Sequence, residues 1–328
     1  MKYRKIAHGQ LEISTVCMGC WALAGDSTWG SQEKADSIDT IRAAIDAGIN
    51  FFDTAELYGK GYSEQILGEA LGSDRDKVVI ASKFIRSADP EHVTEACEES
   101  LINLRTDYID LYHIHWPSRD VPFAETVRAM ENLKSAGKVR QLAVCNFGQK
   151  DLADILDLMT PSANQLPYNL LWRAIEFEIL PASMDAGVPV TCYSPIMQGL
   201  LTGKFRSADD VPEGRARTRL FSGDRPQAVH GEAGAEEETF TAIGEIADLA
   251  DQNGLDMAAM ALAWLIGRDG VASVIAGARS PEQIRHNATA GDLTLSDGVM
   301  TRLDEITQPL KQKMGPNADM WNTPSRMR

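Results

Sequence analysis

The chain has 328 residues, 44 % of them hydrophobic, and a formal net charge of −15. That is apolar mass for one large α/β domain or two ordinary ones, and the acidity argues against nucleic acids and anionic membranes as partners. The opening "MKYRKIAHGQ" lacks the apolar core of a signal peptide and the longest apolar run, "MAAMALAWLIG", is too short to cross a bilayer, so a cytoplasmic protein is expected.

In chain order, "YRKI" and "LEIS" read as a small hairpin joined across "AHGQ". Eight short apolar runs follow: "VCMGCW", "FFDT", "VVIASK", "IDLYHIH", "QLAVCNF", "SANQLPY", "PVTCYS" and "SVIAG". Helical patterns separate them at 34–47, 63–71, 90–104, 123–136, 149–158, 174–186 and 237–268, the last broken near Gly254. Two more close the pattern, at 281–290 and, as an extra helix, at 296–307. "SPEQI" offers a serine N-cap with proline in the first turn, and "DAGIN" and "SAGKV" place glycine just past a helix end. Strands alternating with helices predict a parallel sheet, and eight such units predict an α/β fold closed as a (β/α)₈ TIM barrel. An open doubly wound sheet is the alternative. No linker divides the chain, so residues 1–328 are read as one domain, with 309–328 as a tail reaching the substrate pocket. A charged, glycine-rich stretch at about 196–236 follows the seventh strand, where barrels carry functional loops.

Cysteines stand at 17, 20, 97, 145 and 192. An odd number in a cytosolic chain argues for reduced thiols. Cys17 and Cys20 form C-x-x-C, but no second pair or His-x-x-x-His accompanies them, so buried strand cysteines are the better reading and no metal site is expected.

A barrel of this kind works at the C-terminal ends of its strands. Asp53 ends the second run, Tyr58 lies in the loop beyond it, Lys83 ends the third run and His115 the fourth. The steps from Asp53 to Lys83 and from Lys83 to His115 are each about one βα unit, so neighbouring strands present these groups to one place. Taken singly, each has a structural explanation: a helix cap, a solvated lysine, a packing ring. Together they make a proton donor aimed at an oxygen that gains negative charge. A phenol is protonated near pH 7, an ammonium lowers its pKa, a carboxylate holds the ammonium, and an imidazole orients the oxygen. His113 shares a strand face with His115 and is expected in the core below it. "GKGYSE" lacks the third glycine of a dinucleotide fingerprint, and "NAT" at 287 is a sequon by pattern only.

"FFDTAELYG", "ASKF", "DLYHIHWP", "VCNF", "QLPYN", "YSPIMQGLLTGKF" and "VIAGARSPEQIRHN" resemble, in order and spacing, the aldo-keto reductases, over about residues 3 to 310. The resemblance implies NADPH-dependent, reversible reduction of aldehydes or ketones (sugars or other small carbonyls among them), with Asp53, Tyr58, Lys83 and His115 as the catalytic tetrad. It implies a (β/α)₈ barrel with the N-terminal β-hairpin closing its base, and NADP(H), with NAD as an alternative cofactor, lying extended over the strand ends. Cys145, Asn146 and Gln165 fall where a serine, an asparagine and a glutamine hold the carboxamide; the serine has become cysteine, a weaker hydrogen-bond partner. Tyr193 matches the ring that stacks on the nicotinamide. The segment from Gly199 through Leu200 to Lys204 matches a strap over the pyrophosphate, and Gly277, Arg279, Gln283 and Asn287 match the adenosine end. Arg279 is the expected partner of a 2′-phosphate. Gly19, Cys20, Trp21, Asp53, Ser194 and Pro195 are the remaining cofactor positions. Trp21, Trp29, Tyr58, His115, Trp116 and Trp321 are expected around a small-molecule carbonyl. Two rivals stay open: a cofactor-binding regulatory subunit like the channel β-subunits, and an aldolase using Lys83 as a Schiff-base nucleophile. So does the choice between a monomer and a homo-oligomer.

Overall fold

The computed structural model covers residues 1–328. Strands β1 (Tyr3–Ile6) and β2 (Leu11–Ser14) pair as an antiparallel hairpin. Eight parallel strands then close a barrel: β3 (Val16–Gly19), β4 (Phe51–Asp53), β5 (Val79–Phe84), β6 (Ile109–Ile114), β7 (Val139–Cys145), β8 (Asn164–Pro167), β9 (Val190–Tyr193) and β10 (Val271–Gly277). They follow chain order around the ring, with β10 returning to β3. The surrounding helices are α1 (Lys34–Asp46), α2 (Tyr62–Leu71), α3 (Pro90–Leu104), α4 (Phe123–Ser135), α5 (Gln149–Leu156), α6 (Ile179–Asp185), α7 (Glu236–Gln252), α8 (Met257–Ile266), α9 (Pro281–Thr289) and α10 (Asp297–Met314). No helix is long and apolar enough to cross a membrane.

Local chemistry sets the boundaries. Ser280 caps α9 by accepting from the Gln283 amide, and Gly48 and Gly137 follow α1 and α4 at φ of 82° and 77°, a region that costs glycine little. Two helices differ from the sequence reading. The stretch 174–186 divides into a 3₁₀ turn at Ala174–Glu176 and the short α6, because Pro181 is tolerated only in a first turn. Helix α10 runs past 307 and through Pro309 to Met314. Leu303, Ile306 and Leu310 keep one buried stripe across the proline, and that burial outweighs one missing hydrogen bond.

Alternation along each strand sorts the core into two parts. Phe51, Val79, Ala81, Leu111, Ala143 and Ala272 fill the barrel interior, and Ile6, Leu11 and Ile13 of the hairpin plug its base. Phe52, Ile80, Tyr112, Leu142 and Val144 face the helices in the larger core. The same alternation divides the C-x-x-C pair: Cys17 belongs to the interior and Cys20 to the outer core, both reduced and buried. Continuing inward at the top, the period of two brings Asp53, Lys83, His113 and then His115 to the axis. Register places Asp53 beside Ala81 and Lys83 beside His113.

Candidate active site

A cleft of about 1170 Å³ opens over the C-terminal ends of the strands. Asp53 and Lys83 form its floor, respectively 3 % and 0 % exposed. The Lys83 ammonium donates to Asp53 Oδ1 at 2.7 Å, to the Thr54 carbonyl at 2.8 Å and to the Tyr58 hydroxyl at 3.4 Å. A lysine there is tolerable only because all its donors are engaged and a carboxylate balances its charge. Burial is the largest single influence and opposes its charged form, but Asp53, Tyr58 and Cys145 together outweigh it, and the Lys83 pKa lies above the usual lysine value. Tyr58 sits in the turn between β4 and α2, where its amide donates to the Ala55 carbonyl and its own carbonyl accepts from Ser63. Its ring stacks on Trp21 with centroids 6.0 Å apart and meets His115 edge-on at 6.1 Å.

The sequence reading expects Lys83 to lower the Tyr58 pKa. Its charge acts in that direction, but desolvation is larger, and the phenol is pushed up to about 12. At neutral pH the hydroxyl therefore holds its proton, the state a donor needs, while the same burial makes it a weaker acid until Lys83 stabilises the phenolate. His115 is 8 % exposed, and its Nδ1 is buried without a partner. Desolvation first, then the Lys83 charge, holds its pKa well below the usual imidazole value, so it is neutral and presents one N–H and one acceptor. His113 lies one layer deeper, fully buried, with Nδ1 3.4 Å from the Ser82 carbonyl.

His113 also sets a pH dependence of stability. Burial and then Lys83 lower its pKa to about 3. Below the unfolded value of about 6.5, the unfolded chain therefore binds a proton that the native state refuses, and stability falls as pH drops, by roughly 1.4 kcal/mol per pH unit for one such group. Replacing His113 by glutamine is expected to flatten the decline in urea-unfolding free energy between pH 6 and pH 5 by about that much. Identical slopes in the two proteins would mean that His113 is charged in the fold.

Most of the residues expected at the cofactor border the same cleft around this floor. Asn146 (φ 63°) donates to the His115 carbonyl at 3.0 Å and accepts from the Tyr193 hydroxyl at 3.0 Å. Gln165 donates to Asp53 Oδ2 at 2.7 Å, so its amide also positions the tetrad carboxylate. The Cys145 thiol, 3.7 Å from Gln165 Oε1, is kept protonated by burial. Gly19, Trp21, Ser194, Pro195, Gly199 and Lys204 line the cleft, as do Gly277, Gln283 and Asn287. Cys20 and Leu200 do not: both are buried behind the wall in the outer core, Leu200 from within the 3₁₀ turn Met197–Thr202. Trp29, Trp116 and Trp321 complete the aromatic rim.

The loop between β9 and α7 adds residues that no motif marked. Gln198 lines the cleft with both amide atoms buried and unpartnered, and Arg215 Nε is likewise unpartnered. Lys204, Arg215 and Arg279 gather there with no carboxylate within 4.0 Å of any of them. Burial, and then the neighbouring cation, lowers the pKa of both Lys204 and Arg215. A Cβ added at Gly199 (φ 95°) would come within 2.9 Å of Lys204 Nζ. Such an uncompensated cation cluster beside orphaned amides fits a phosphate-bearing dinucleotide. Arg279 already donates to the carbonyls of Trp29 (2.7 Å) and Ser31 and to Gln32 Oε1 (2.9 Å), which ties the β3–α1 loop to the end of β10. At the far end of the cleft, Asp256 caps α8 and pairs with His286 at 2.8 Å, a contact the sequence did not announce. Only the packing of α8 against α9 brings these residues together.

The tail closes the remaining side. Arg219 donates to the Asn317 carbonyl at 2.9 Å, Trp172 to Ala318 at 3.1 Å, and buried Asp319 holds Arg326 at 2.7 Å. These anchors set Trp321, Asn322 and Arg326 into the cleft wall.

Comparisons with known proteins agree with this geometry. A sequence profile of the aldo/keto reductase family matches residues 15–308. The chain is 34 % identical to aldo-keto reductase YhdN of Bacillus subtilis (96 % of this chain, 97 % of that protein). It is 32 % identical to the NADH-specific methylglyoxal reductase of Escherichia coli (95 % and 100 %). Among solved structures, the glycerol dehydrogenase AKR11B4 of Gluconobacter oxydans superposes with a TM-score of 0.81 at 30 % identity, covering 96 % of each chain. An aldo-keto reductase of Klebsiella pneumoniae in complex with NADPH superposes with a TM-score of 0.75, also at 30 % identity, covering 94 % of this chain and 96 % of its own. With a (β/α)₈ barrel, a Tyr–Lys–Asp–His floor and a profile match over most of its length, the chain belongs to the aldo/keto reductase family of nicotinamide-dependent oxidoreductases.

Proposed function

We propose that this protein reduces small aldehydes and ketones to alcohols, reversibly, as a soluble cytoplasmic enzyme, with NADPH as the preferred cofactor and NADH as an alternative. The observation that carries the reading is the hydroxyl of Tyr58, kept protonated by burial, 3.4 Å from Lys83 and edge-on to neutral His115 at the floor of an open cleft. A bound reduced nicotinamide supplies hydride. The protein's part is to receive the carbonyl oxygen between His115 and Tyr58 and to deliver the phenolic proton as charge develops there. Lys83, neutralised by Asp53, then stabilises the phenolate that remains. In this reading Asn146, Gln165 and Tyr193 hold the nicotinamide, and Lys204, Arg215 and Arg279, which have no carboxylate partner, hold the phosphates.

A panel of aldehydes and ketones, followed at the reduced-nicotinamide absorbance with NADPH and with NADH, tests the proposal. Turnover of several carbonyls supports the enzyme. Tight cofactor binding without turnover of any carbonyl would favour a regulatory subunit, and borohydride trapping of a substrate on Lys83 would favour Schiff-base chemistry.

Cofactor preference gives a second test. The guanidinium of Arg279 keeps one N–H on each terminal nitrogen beyond its loop contacts, enough for a 2′-phosphate. Arg279→Ala is expected to weaken NADPH binding by about 10–100-fold, the scale of one charge-assisted contact. NADH, lacking that phosphate, is expected to lose only the smaller share due to loosening of the loop around Gln32. Fluorescence titration with both cofactors measures the split, and equal losses would confine Arg279 to the loop contact.

A further inference from the structure

Arg217 is a cation without a counter-ion in an acidic protein. It lines the cleft, half-buried, and only its Nε is engaged, donating to the Gly214 carbonyl at 2.9 Å. No carboxylate lies within 4.0 Å. On the tail side of the cleft the other arginines are paired, Arg219 with Glu232 at 2.8 Å and Arg326 with Asp319 at 2.7 Å, whereas Arg217 shares the unpaired state of Arg215 and Arg279 in the phosphate cluster. Asp26 acts on Arg217 at longer range, but its oxygens are committed to the amides of Thr28 (2.8 Å) and Trp29 (2.9 Å) and to the Trp21 indole (2.9 Å). A chain with a net charge of −15 has carboxylates to spare, so the open terminal nitrogens on this wall call for an anion from outside.

Position separates this residue from the phosphate cluster. Arg215 lies toward Trp29, Phe205 and Arg279, whereas Arg217 lies 4.8 Å from the Trp321 ring. Trp321 neighbours the Tyr193 hydroxyl, and Trp21, which holds Asp26, stacks on Tyr58. Arg217 thus closes the half of the cleft in which a carbonyl meets Tyr58, over a wall of indole rings.

We propose that Arg217 binds an anionic group of the substrate, so that the preferred carbonyl compounds are aldehydes or ketones bearing a carboxylate or a phosphate a few carbons from the reacting carbon. The proposal rests on the carbonyl-reductase reading and adds the class of substrate. A guanidinium receives either group through two parallel N–H donors, and the indoles cover the carbon chain between the two ends.

The test compares matched pairs: 4-oxobutanoate with butanal, and glyceraldehyde 3-phosphate with glyceraldehyde. The wild-type protein is expected to favour at least one charged member by about 10-fold or more in kcat/KM, and the better pair names the anion. Arg217→Gln is expected to lower that value about 10–100-fold, mainly through KM, while butanal and glyceraldehyde stay within about twofold. Equal use of charged and neutral members by the wild type, or equal losses in the variant, would overturn the proposal. Should no carbonyl turn over, the reductase reading fails by itself, and the anion site is read by calorimetric titration of 4-oxobutanoate and glyceraldehyde 3-phosphate into the cofactor-bound protein. Binding that Arg217→Gln abolishes would sustain the site, and absence of binding in the wild type would sink it.

Discussion

Replacing Tyr58 by phenylalanine is expected to lower carbonyl reduction by at least about two orders of magnitude, with the loss in kcat rather than KM. Hydride arriving at a carbonyl carbon leaves an alkoxide that must be neutralised as it forms. Among the groups at the floor, Tyr58 alone is neutral, protonated at pH 7 and acidic enough to be a donor once Lys83 stabilises its anion; His115 is neutral but a far weaker N–H acid. Phenylalanine keeps the ring stacked on Trp21 and edge-on to His115, so the fold and cofactor binding should survive. Stopped-flow reduction of the best aldehyde separates chemistry from product release, and fluorescence quenching reports cofactor affinity. Near-normal chemistry in this variant would move the proton donor elsewhere, to His115 first.

Lys83→Met is expected to be damaging twice over. Removing the ammonium leaves Asp53 as an uncompensated carboxylate, 3 % exposed, and strips the Thr54 carbonyl of its 2.8 Å partner. Breaking one side of a buried pair costs about 3–5 kcal/mol. Gln165 still donates to Asp53 Oδ2, which places the cost toward the lower end. Turnover should fall by at least about 10²-fold, because the phenolate loses its stabilising charge. The double variant Asp53→Asn, Lys83→Met removes both charges, so its unfolding free energy should recover most of the loss while turnover does not. A double variant that regained activity would show that Lys83 serves only the fold. A single variant of unchanged stability would show that the pair adds nothing to it.

The sequence made much of this molecule legible, for local reasons. Period-two runs, glycine after helices and the Ser280 cap are decided within a few residues, so all eight barrel strands and the hairpin stand within a few residues of their expected places. The tetrad was legible because one βα unit separates successive strand ends and the inward face recurs every second residue. Where the reading went astray, a contact distant in sequence was responsible. Packing of the buried Leu303, Ile306 and Leu310 stripe carries α10 through Pro309. Desolvation, not the charge of Lys83, decides the direction of the Tyr58 shift. Cys20 and Leu200 retreat behind the wall, and Gln165 gains a contact with Asp53, 112 residues away, that no motif announced.

The barrel, its hairpin and the residues of the Asp53–Tyr58–Lys83–His115 floor were therefore legible in the sequence alone, because alternation along each strand and one βα unit between successive strand ends decide which side chains reach the axis. The charge state of the floor and the cation cluster of Lys204, Arg215 and Arg279 were decided only by tertiary structure. So was the open guanidinium of Arg217 against Trp321. Whether a cation keeps a free face depends on which carboxylates the fold brings within reach and how much water it excludes, and neither quantity has a period that a sequence can display.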